Sequence, residues 1–268
     1  MTARRLSTPA RREGPAQSKP DLTAFLRPIA HRGLHDRRQA RIENTAPAFL
    51  AAIDKNYGIE CDVQAAADGT PMVFHDETLD RLVAATGPVA GQSPSSLRSF
   101  RYRRTDTSIL TLAELLHLIG GRVPLLVEVK VNKSAPPPSF LDKIARQARA
   151  YRGPIGLMSF NANAVAELGR LAPTVPRGLV VGSHTLPPSW WATPGGASKA
   201  RILNRRLGSV PAGLAFFAVD VRILRHARTW MSRHAPELAL FSWTIRTARA
   251  QRAAAQWADA PIFEGYEA

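Results

Sequence analysis

The sequence predicts an α/β fold in which parallel strands close into a barrel. Short apolar segments alternate with amphipathic segments of helical length along most of the chain. Eight strand candidates occur in this alternation, which favours a barrel over an open sheet. The length of 268 residues suits a single α/β barrel domain, and an apolar fraction of 45% is ordinary for a globular core.

The strand and helix candidates follow one another in regular order. The strands are expected at residues 28–30, 58–64, 72–75, 125–130, 154–159, 178–181, 215–221 and 238–244, and residues 261–264 could form a ninth. The helices are expected between them, at residues 45–55, 111–119, 140–150, 161–171, 198–207, 223–234 and 247–257. This alternation is the basis for predicting parallel strands.

Three stretches break the alternation. Residues 1–26 are basic and poor in large apolar side chains, so we expect a disordered tail ahead of a barrel domain at residues 27–268. Residues 76–108 are too long for a simple connection, and we expect a small lobe inserted after the third strand. Residues 183–197, which include Trp190 and Trp191, are expected to form a loop of a length that is often functional.

The net charge of +15 has two interpretations. It is typical of proteins that bind nucleic acid or an anionic membrane, and equally of a positive surface that attracts small anionic substrates. The arginines are spread out rather than interleaved with aromatic residues, so we expect no nucleic-acid partner, while a peripheral membrane contact stays open. We see no apolar run of transmembrane length and no apolar segment of a secretory signal, and therefore expect a cytoplasmic location.

Charged residues lie inside two of the predicted strands. Glu60 and Asp62 alternate in GIECDVQ, and Glu128 and Lys130 alternate in LLVEVK, so each pair shares one face of its strand. Buried unpaired carboxylates are costly, and barrel enzymes place their active sites at the carboxyl ends of the strands. The three carboxylates therefore indicate a site for a divalent cation, Mg²⁺ or Ca²⁺, with Lys130 directed at a phosphate. Cys61 is the single cysteine, which excludes a cysteine-rich zinc site.

Two histidines close predicted strands near these carboxylates. His31 ends the first strand in PIAHRGL and His75 ends a later one in PMVFHDE, as a general acid and base would require. Arg32 offers a planar guanidinium for phosphate oxygens. Hydrolysis of a phosphodiester needs this set, because charge must be neutralised, a nucleophile deprotonated and an alkoxide protonated. The chain lacks the G-x-S-x-G, Walker A and G-x-G-x-x-G patterns of serine hydrolases and nucleotide-binding folds.

Ten short motifs follow one another along the chain. They are HRG at 31–33, ENT at 43–45, ExDV at 60–63, DG at 68–69, HD at 75–76, LxR at 79–81, TLxE at 111–114, ExK at 128–130, SF at 159–160 and WT at 243–244. In this order and spacing, from about residue 28 to the C-terminus, the chain resembles the glycerophosphodiester phosphodiesterase family. The resemblance implies a TIM (β/α)8 barrel with a small insertion after the HD strand. It also implies metal-dependent hydrolysis of glycerophosphodiesters to glycerol 3-phosphate and an alcohol.

The resemblance implies roles for the residues that carry the chemistry. His31 and His75 would be the acid and base, and Glu60, Asp62 and Glu128 would hold the Mg²⁺ or Ca²⁺ ion. Which histidine is the base stays open. The nucleophile is either water or the glycerol 2-hydroxyl, which would form a cyclic phosphate first.

Further roles concern the substrate. Arg32 and Lys130 would bind the phosphate. Glu43 would steady the loop after the first strand, with a direct metal contact as the alternative. Phe160 and Trp243 would wall the substrate pocket, unless they simply pack in the barrel.

The chain departs from the family pattern at four places. Ile42 stands where Pro usually precedes ENT, Ala67 where Thr is common, and Arg246 where Asn commonly follows WT. Glu264 and Gly265 replace the usual C-terminal Thr-Asp pair. We expect none of these to touch the chemical core, although Arg246 could change which head group is accepted.

Three alternatives accompany this hypothesis. The same site could act on a lysophospholipid or another phosphodiester, favoured by Trp190, Trp191 and the basic surface. A barrel that binds phosphate compounds without cleaving them is less favoured, because no catalytic residue of the family is missing. The HD pair also occurs in all-helical HD phosphohydrolases, but His75 and Asp76 follow a strand-like PMVF run.

Overall fold

The computed structural model describes residues 20–131, 136–182 and 197–268. Within these ranges nine strands form one sheet, and eight of them are parallel to their neighbours. The sheet closes because β1 (Ile29–Ala30) pairs with both β2 (Gly58–Ala65) and β9 (Ala260–Phe263). The predicted TIM (β/α)8 barrel is therefore confirmed.

The remaining barrel strands and the outer helices alternate as the sequence predicts. The strands are β4 (Leu125–Val129), β5 (Ile155–Ser159), β6 (Arg177–Val181), β7 (Phe216–Asp220) and β8 (Ala239–Ile245). The helices are α1 (Ala46–Asp54), α2 (Pro94–Ser99), α3 (Leu112–Ile119), α4 (Ser139–Ala150), α5 (Ala162–Leu171), α6 (Ala197–Gly208), α7 (Leu224–His234) and α8 (Ala248–Ala254). All except α2 match a predicted helix within a few residues at each end, and α2 lies in the inserted lobe.

The segment predicted as the third barrel strand has a different position. Strand β3 (Pro71–Val73) runs antiparallel to the end of β2, where Val63 pairs with Val73, so its assignment to the barrel is wrong. The reason is the short turn between them, in which Gly69 has φ +78° and its N–H donates to the carbonyl of Ala66. Such a turn reverses the chain, whereas a parallel neighbour needs a long crossover. Strand β9 takes the eighth barrel position instead.

The core has an inner and an outer layer. Inside the barrel, Phe216, Phe241 and Leu126 pack with Phe25, which lies in a short 3-10 turn at Thr23–Phe25. Leucine, isoleucine and valine side chains fill the space between the strands and the helices. Because Phe25 is buried, the packed part of the chain begins before the predicted boundary at residue 27. The rest of the predicted tail up to residue 19 lies outside the described residues, as do residues 183–196 of the loop predicted at residues 183–197.

Residues 76–108 form a lobe with a small core of its own. Its buried side chains include Leu79, Val83, Leu97 and Tyr102, which pack with Phe74 at the end of the β2–β3 hairpin. The lobe returns to the barrel through α3, where Thr111 and Glu114 form a capping box. The inserted lobe is therefore anchored next to the strand that carries His75.

No helix in the described ranges is long and apolar enough to cross a lipid bilayer.

Candidate active site

A cavity of about 540 Å³ opens at the carboxyl ends of the barrel strands. It is lined by residues that lie at or just beyond the ends of several strands: His31, Arg32, Glu60, His75, Glu128, Lys130, Met158, Phe160, Asp220, Val221, Arg222, Trp243, Thr244, Arg246 and Ile262. Barrel enzymes bind their substrates at this end. The structure thus brings nearly all the sequence-predicted site residues to one place.

Glu60, Asp62 and Glu128 form the carboxylate cluster. Glu60 and Asp62 lie on β2 and Glu128 on β4, in register, because Asp62 pairs with Glu128 across the two parallel strands. One carboxylate oxygen from each residue lies within 4.8 Å of the others. Glu60 and Asp62 are each about 1% exposed, so their charges are almost fully removed from water. The alternation read from the sequence therefore places all three on the cavity side.

Lys130 and Arg32 offset part of this charge. The Nζ atom of Lys130 donates to Glu128 Oε1 at 2.7 Å and lies 3.0 Å from Asp62 Oδ1. The Nε atom of Arg32 lies 3.2 Å from Asp62 Oδ2. Burial alone would raise the pKa of Asp62, but the charges of Lys130 and Arg32 hold that pKa well below its ordinary value. Asn44 adds a hydrogen bond from its Nδ2 to Asp62 Oδ2 at 2.9 Å.

Glu60 has weaker compensation. It accepts a hydrogen bond from the backbone N–H of Arg32 at 3.0 Å. Burial and the nearby charges of Asp62 and Glu128 raise the pKa of Glu60 well above its ordinary value. Three carboxylates thus face two close cations, and a further cation at the cluster would relieve the imbalance. The oxygen donors, their spacing and this excess of negative charge fit a hard divalent ion.

Glu43 holds Arg32 from behind rather than facing the cavity. Its Oε1 accepts from Arg32 Nη1 at 2.7 Å and from Arg81 Nη2 at 2.7 Å, and its Oε2 accepts from Arg81 Nη1 at 2.9 Å. Burial opposes ionisation, yet the two arginines lower the pKa of Glu43 to about 2. Glu43 is outside the carboxylate cluster, so its arrangement matches a supporting role for the loop after β1.

His75 comes to the cavity on the antiparallel hairpin. Strand β3 ends at Val73, and the N–H of Phe74 donates to the carbonyl of Asp62 at 3.1 Å, which places the next residue beside the carboxylate cluster. The Nδ1 atom of His75 lies 2.7 Å from Asp76 Oδ1. Arg81 donates to both oxygens of Asp76, at 2.5 and 2.9 Å. Arg81 therefore links the carboxylate that supports His75 to the one that supports Arg32.

His31 is supported by a residue that the sequence interpretation set aside. Its Nδ1 lies 2.5 Å from Oε2 of Glu264, and its Nε2 lies 3.9 Å from Glu60 Oε2. The other oxygen of Glu264 pairs with Arg246 Nη2 at 2.7 Å. The expectation that none of the departures touches the chemical core is therefore wrong at Glu264, while Arg246 reaches that core only through Glu264. The available signal was a carboxylate that directly follows a short apolar strand, as Glu264 does in IFEG.

Aromatic and polar side chains line the opposite part of the cavity. Phe160 and Trp243 meet edge to face with ring centroids 5.6 Å apart, and Trp243 Nε1 donates to the carbonyl of Ala218 at 3.0 Å. Both aromatic residues line the cavity as well as packing in the barrel. Asp220 and Arg222, not singled out from the sequence, form an ion pair at 2.5 Å on the same side.

Comparisons with known proteins point to one enzyme family. The sequence model of the glycerophosphoryl diester phosphodiesterase family matches residues 31–263. A curated relative from Mycobacterium tuberculosis, named "Probable glycerophosphodiester phosphodiesterase 1", is 31% identical over an alignment of 171 residues that covers 55% of this chain and 61% of that protein. The glycerophosphodiester phosphodiesterase of Caldanaerobacter subterraneus is 30% identical over 57% of this chain and 65% of its own length. The matches thus span less than two thirds of either relative.

Solved structures share the fold over a larger part of the chain. A phosphodiesterase from Oleispira antarctica, in complex with the product sn-glycerol 3-phosphate, has a TM-score of 0.67 at 20% identity and covers 90% of this chain and 94% of its own. The glycerophosphodiester phosphodiesterase of Thermotoga maritima has a TM-score of 0.64 at 20% identity, with 88% and 92% covered.

Proposed function

The chain belongs to the glycerophosphoryl diester phosphodiesterase family, and from that premise we propose that it hydrolyses glycerophosphodiesters to glycerol 3-phosphate and an alcohol. The observation that carries the proposal is the convergence of two histidines and the carboxylate cluster on one cavity. The product bound to the similarly folded Oleispira antarctica phosphodiesterase supports the same product here.

The phosphate would be received by Arg32 and Lys130. Both line the cavity, and both are already held by buried carboxylates, Arg32 by Glu43 and Lys130 by Asp62 and Glu128. Cations fixed before the substrate arrives stabilise developing negative charge without having to reorganise. The two cations would neutralise charge on the non-bridging phosphate oxygens as the nucleophile approaches phosphorus.

The carboxylate cluster would hold one divalent ion, Mg²⁺ or Ca²⁺. When bound, the ion would polarise the phosphodiester as a Lewis acid and offset the excess charge of Glu60, Asp62 and Glu128.

His31 and His75 would move the protons. Each ring has its Nδ1 beside a carboxylate, Glu264 for His31 and Asp76 for His75, which leaves Nε2 as the nitrogen for the substrate side. One imidazole would take the proton of the attacking hydroxyl, from water or the glycerol 2-hydroxyl, while its oxygen bonds to phosphorus. The other would give a proton to the alcohol oxygen as its bond to phosphorus breaks. Because a carboxylate supports each imidazole in the same way, either histidine can be the acid and the other the base.

The test is an assay of a glycerophosphodiester panel with Mg²⁺, with Ca²⁺ and with a chelator. His31→Ala and His75→Ala should each lower kcat by at least ~10²-fold while the fold and metal binding survive. His226→Ala is the matched control, because His226 contacts Asn204 on the outer helices and does not line the cavity, and its kcat should be unchanged. Near wild-type activity in either cavity variant would rule out the proposed mechanism.

Substrate choice and location are further parts of the proposal. Including lysophosphatidylcholine in the same panel separates a glycerophosphodiesterase from the lysophospholipase D alternative. A cytoplasmic location and the lack of a nucleic-acid partner stay predictions, which fractionation and a DNA-binding titration would check.

A further inference from the structure

Glu264 lies beside His31 because two neighbouring parallel strands end together. Ala30 pairs with Phe263 across β1 and β9, and the N–H of His31 donates to the carbonyl of Phe263 at 2.8 Å. The next residue of each strand therefore emerges at the carboxyl end of the barrel, side by side. The N–H of Glu264 donates to the carbonyl of Ile245 on β8 at 3.0 Å, so the backbone of Glu264 is fixed on both sides.

The contact determines how the imidazole of His31 is presented. With Glu264 Oε2 at 2.5 Å, Nδ1 is the nitrogen that carries a hydrogen, since an ionised carboxylate can only accept. Nε2 is then directed toward the carboxylate cluster, 3.9 Å from Glu60 Oε2. A carboxylate behind a histidine commonly fixes both its tautomer and its ring orientation in this way.

Arg246 occupies the second oxygen of Glu264. Its Nη2 lies 2.7 Å from Oε1, and its side chain is about 64% exposed at the mouth of the cavity. His35 Nε2 lies 3.7 Å from Oε2. With a partner on each oxygen, the carboxylate has little freedom to rotate away from His31. Because the guanidinium of Arg246 is largely exposed to water, its pairing with Glu264 adds little to the stability of the fold, and its main consequence is orientation.

We propose that Glu264 is a positioning residue, held by Arg246, that orients His31 so that Nε2 faces the reacting phosphate. The proposal rests on the phosphodiesterase function proposed above and adds two residues to its machinery. It assigns a role to Glu264 and Arg246, two positions at which the sequence departs from the pattern that is usual in the family.

The test compares Glu264→Ala, Glu264→Gln and Arg246→Gln with wild type at saturating Mg²⁺. Glu264→Ala should lower kcat by roughly 10²-fold with KM changed by less than about 3-fold, because a misoriented imidazole affects the chemical step more than binding. Glu264→Gln keeps a neutral acceptor for Nδ1–H and should recover part of that loss. Arg246→Gln should have a smaller effect of the same kind. Glu267→Gln is the control, since Glu267 pairs with Lys55 away from the cavity and should leave kcat unchanged.

Two further measurements separate positioning from a structural role. Glu264→Ala in a His31→Ala background should cause no additional loss, since Glu264 acts through His31. Nitrogen-15 NMR of His31 should show hydrogen on Nδ1 in wild type and a mixture of tautomers in Glu264→Ala. A kcat within about 3-fold of wild type in Glu264→Ala, or an unchanged tautomer, would overturn the proposal. If wild type cleaves no glycerophosphodiester, the proposed function fails, and the NMR result still decides the role of Glu264.

Discussion

Arg81 is expected to stabilise the fold through two carboxylates at once. It donates two hydrogen bonds to Glu43 and two to Asp76. Glu43 is 7% exposed, and its two arginine partners lower its pKa from an ordinary 4.5 to about 2. A difference of that size corresponds to about 3 kcal/mol of folding free energy. Arg32 provides part of this stabilisation, and water partly screens Arg81, whose side chain is 39% exposed. Arg81→Met should therefore lower the free energy of unfolding by about 2 kcal/mol at pH 7.

The pH dependence gives the sign of the Arg81 effect. Because the pKa of Glu43 is lower in the folded state, its contribution is present above pH 4.5 and is lost as the pH falls toward about 2. The cost of Arg81→Met should therefore shrink between pH 5 and pH 2, as measured by urea unfolding followed by circular dichroism. Arg98→Met is the matched control, because Arg98 lies in the same lobe as Arg81 and pairs with the partly exposed Glu114 on α3, so its loss should cost less than about 1 kcal/mol. Equal costs for the two variants, or a cost independent of pH, would refute this reasoning.

Two further predictions concern the metal and the barrel interior. Adding Mg²⁺ or Ca²⁺ to metal-free protein at about 100 times its Kd should raise Tm by roughly 5–10 °C. Glu60→Gln should abolish the rise, and a rise of equal size in that variant would contradict the assigned site. Gly178→Ala should lower the free energy of unfolding by about 1–3 kcal/mol, because its Cβ would lie 2.1 Å from the ring of Phe216. Gly91→Ala, whose Cβ has no neighbour closer than 3.6 Å, is the control in the same unfolding experiment and should change little.

The sequence alone predicted the parts of the site and fold that depend on a repeating pattern along the chain. Glu60 and Asp62 alternate on one strand, and the structure places both in the carboxylate cluster with Glu128. The alternation of strands and helices likewise predicted the barrel. Both patterns depend on neighbours along the chain, so they can be read without knowing the tertiary structure.

Long-range pairing was not readable in the same way. The run at residues 72–75 and β9 are both short and apolar, so their composition does not separate an antiparallel return strand from a barrel strand. The local signal for the return strand was the short connection through Asp68 and Gly69, because a parallel neighbour needs a long crossover. Glu264, which supports His31, follows the last strand, and Arg81, which holds the Asp76 carboxylate beside His75, lies in the inserted lobe. Their contacts exist only once β1 meets β9 and the lobe folds over β2.

The antiparallel hairpin sets a length constraint on the chain. Because His75 is carried on a return strand, its approach to Asp62 depends on the turn between β2 and β3. One residue more or less in that turn would move the pairing by one position and present Phe74, or Asp76, where the imidazole now lies. Small insertions in the loops between barrel strands and outer helices should matter less, since surface loops tolerate changes in length. Deletions and insertions tolerated elsewhere on the surface should therefore be rare between Ala65 and Pro71.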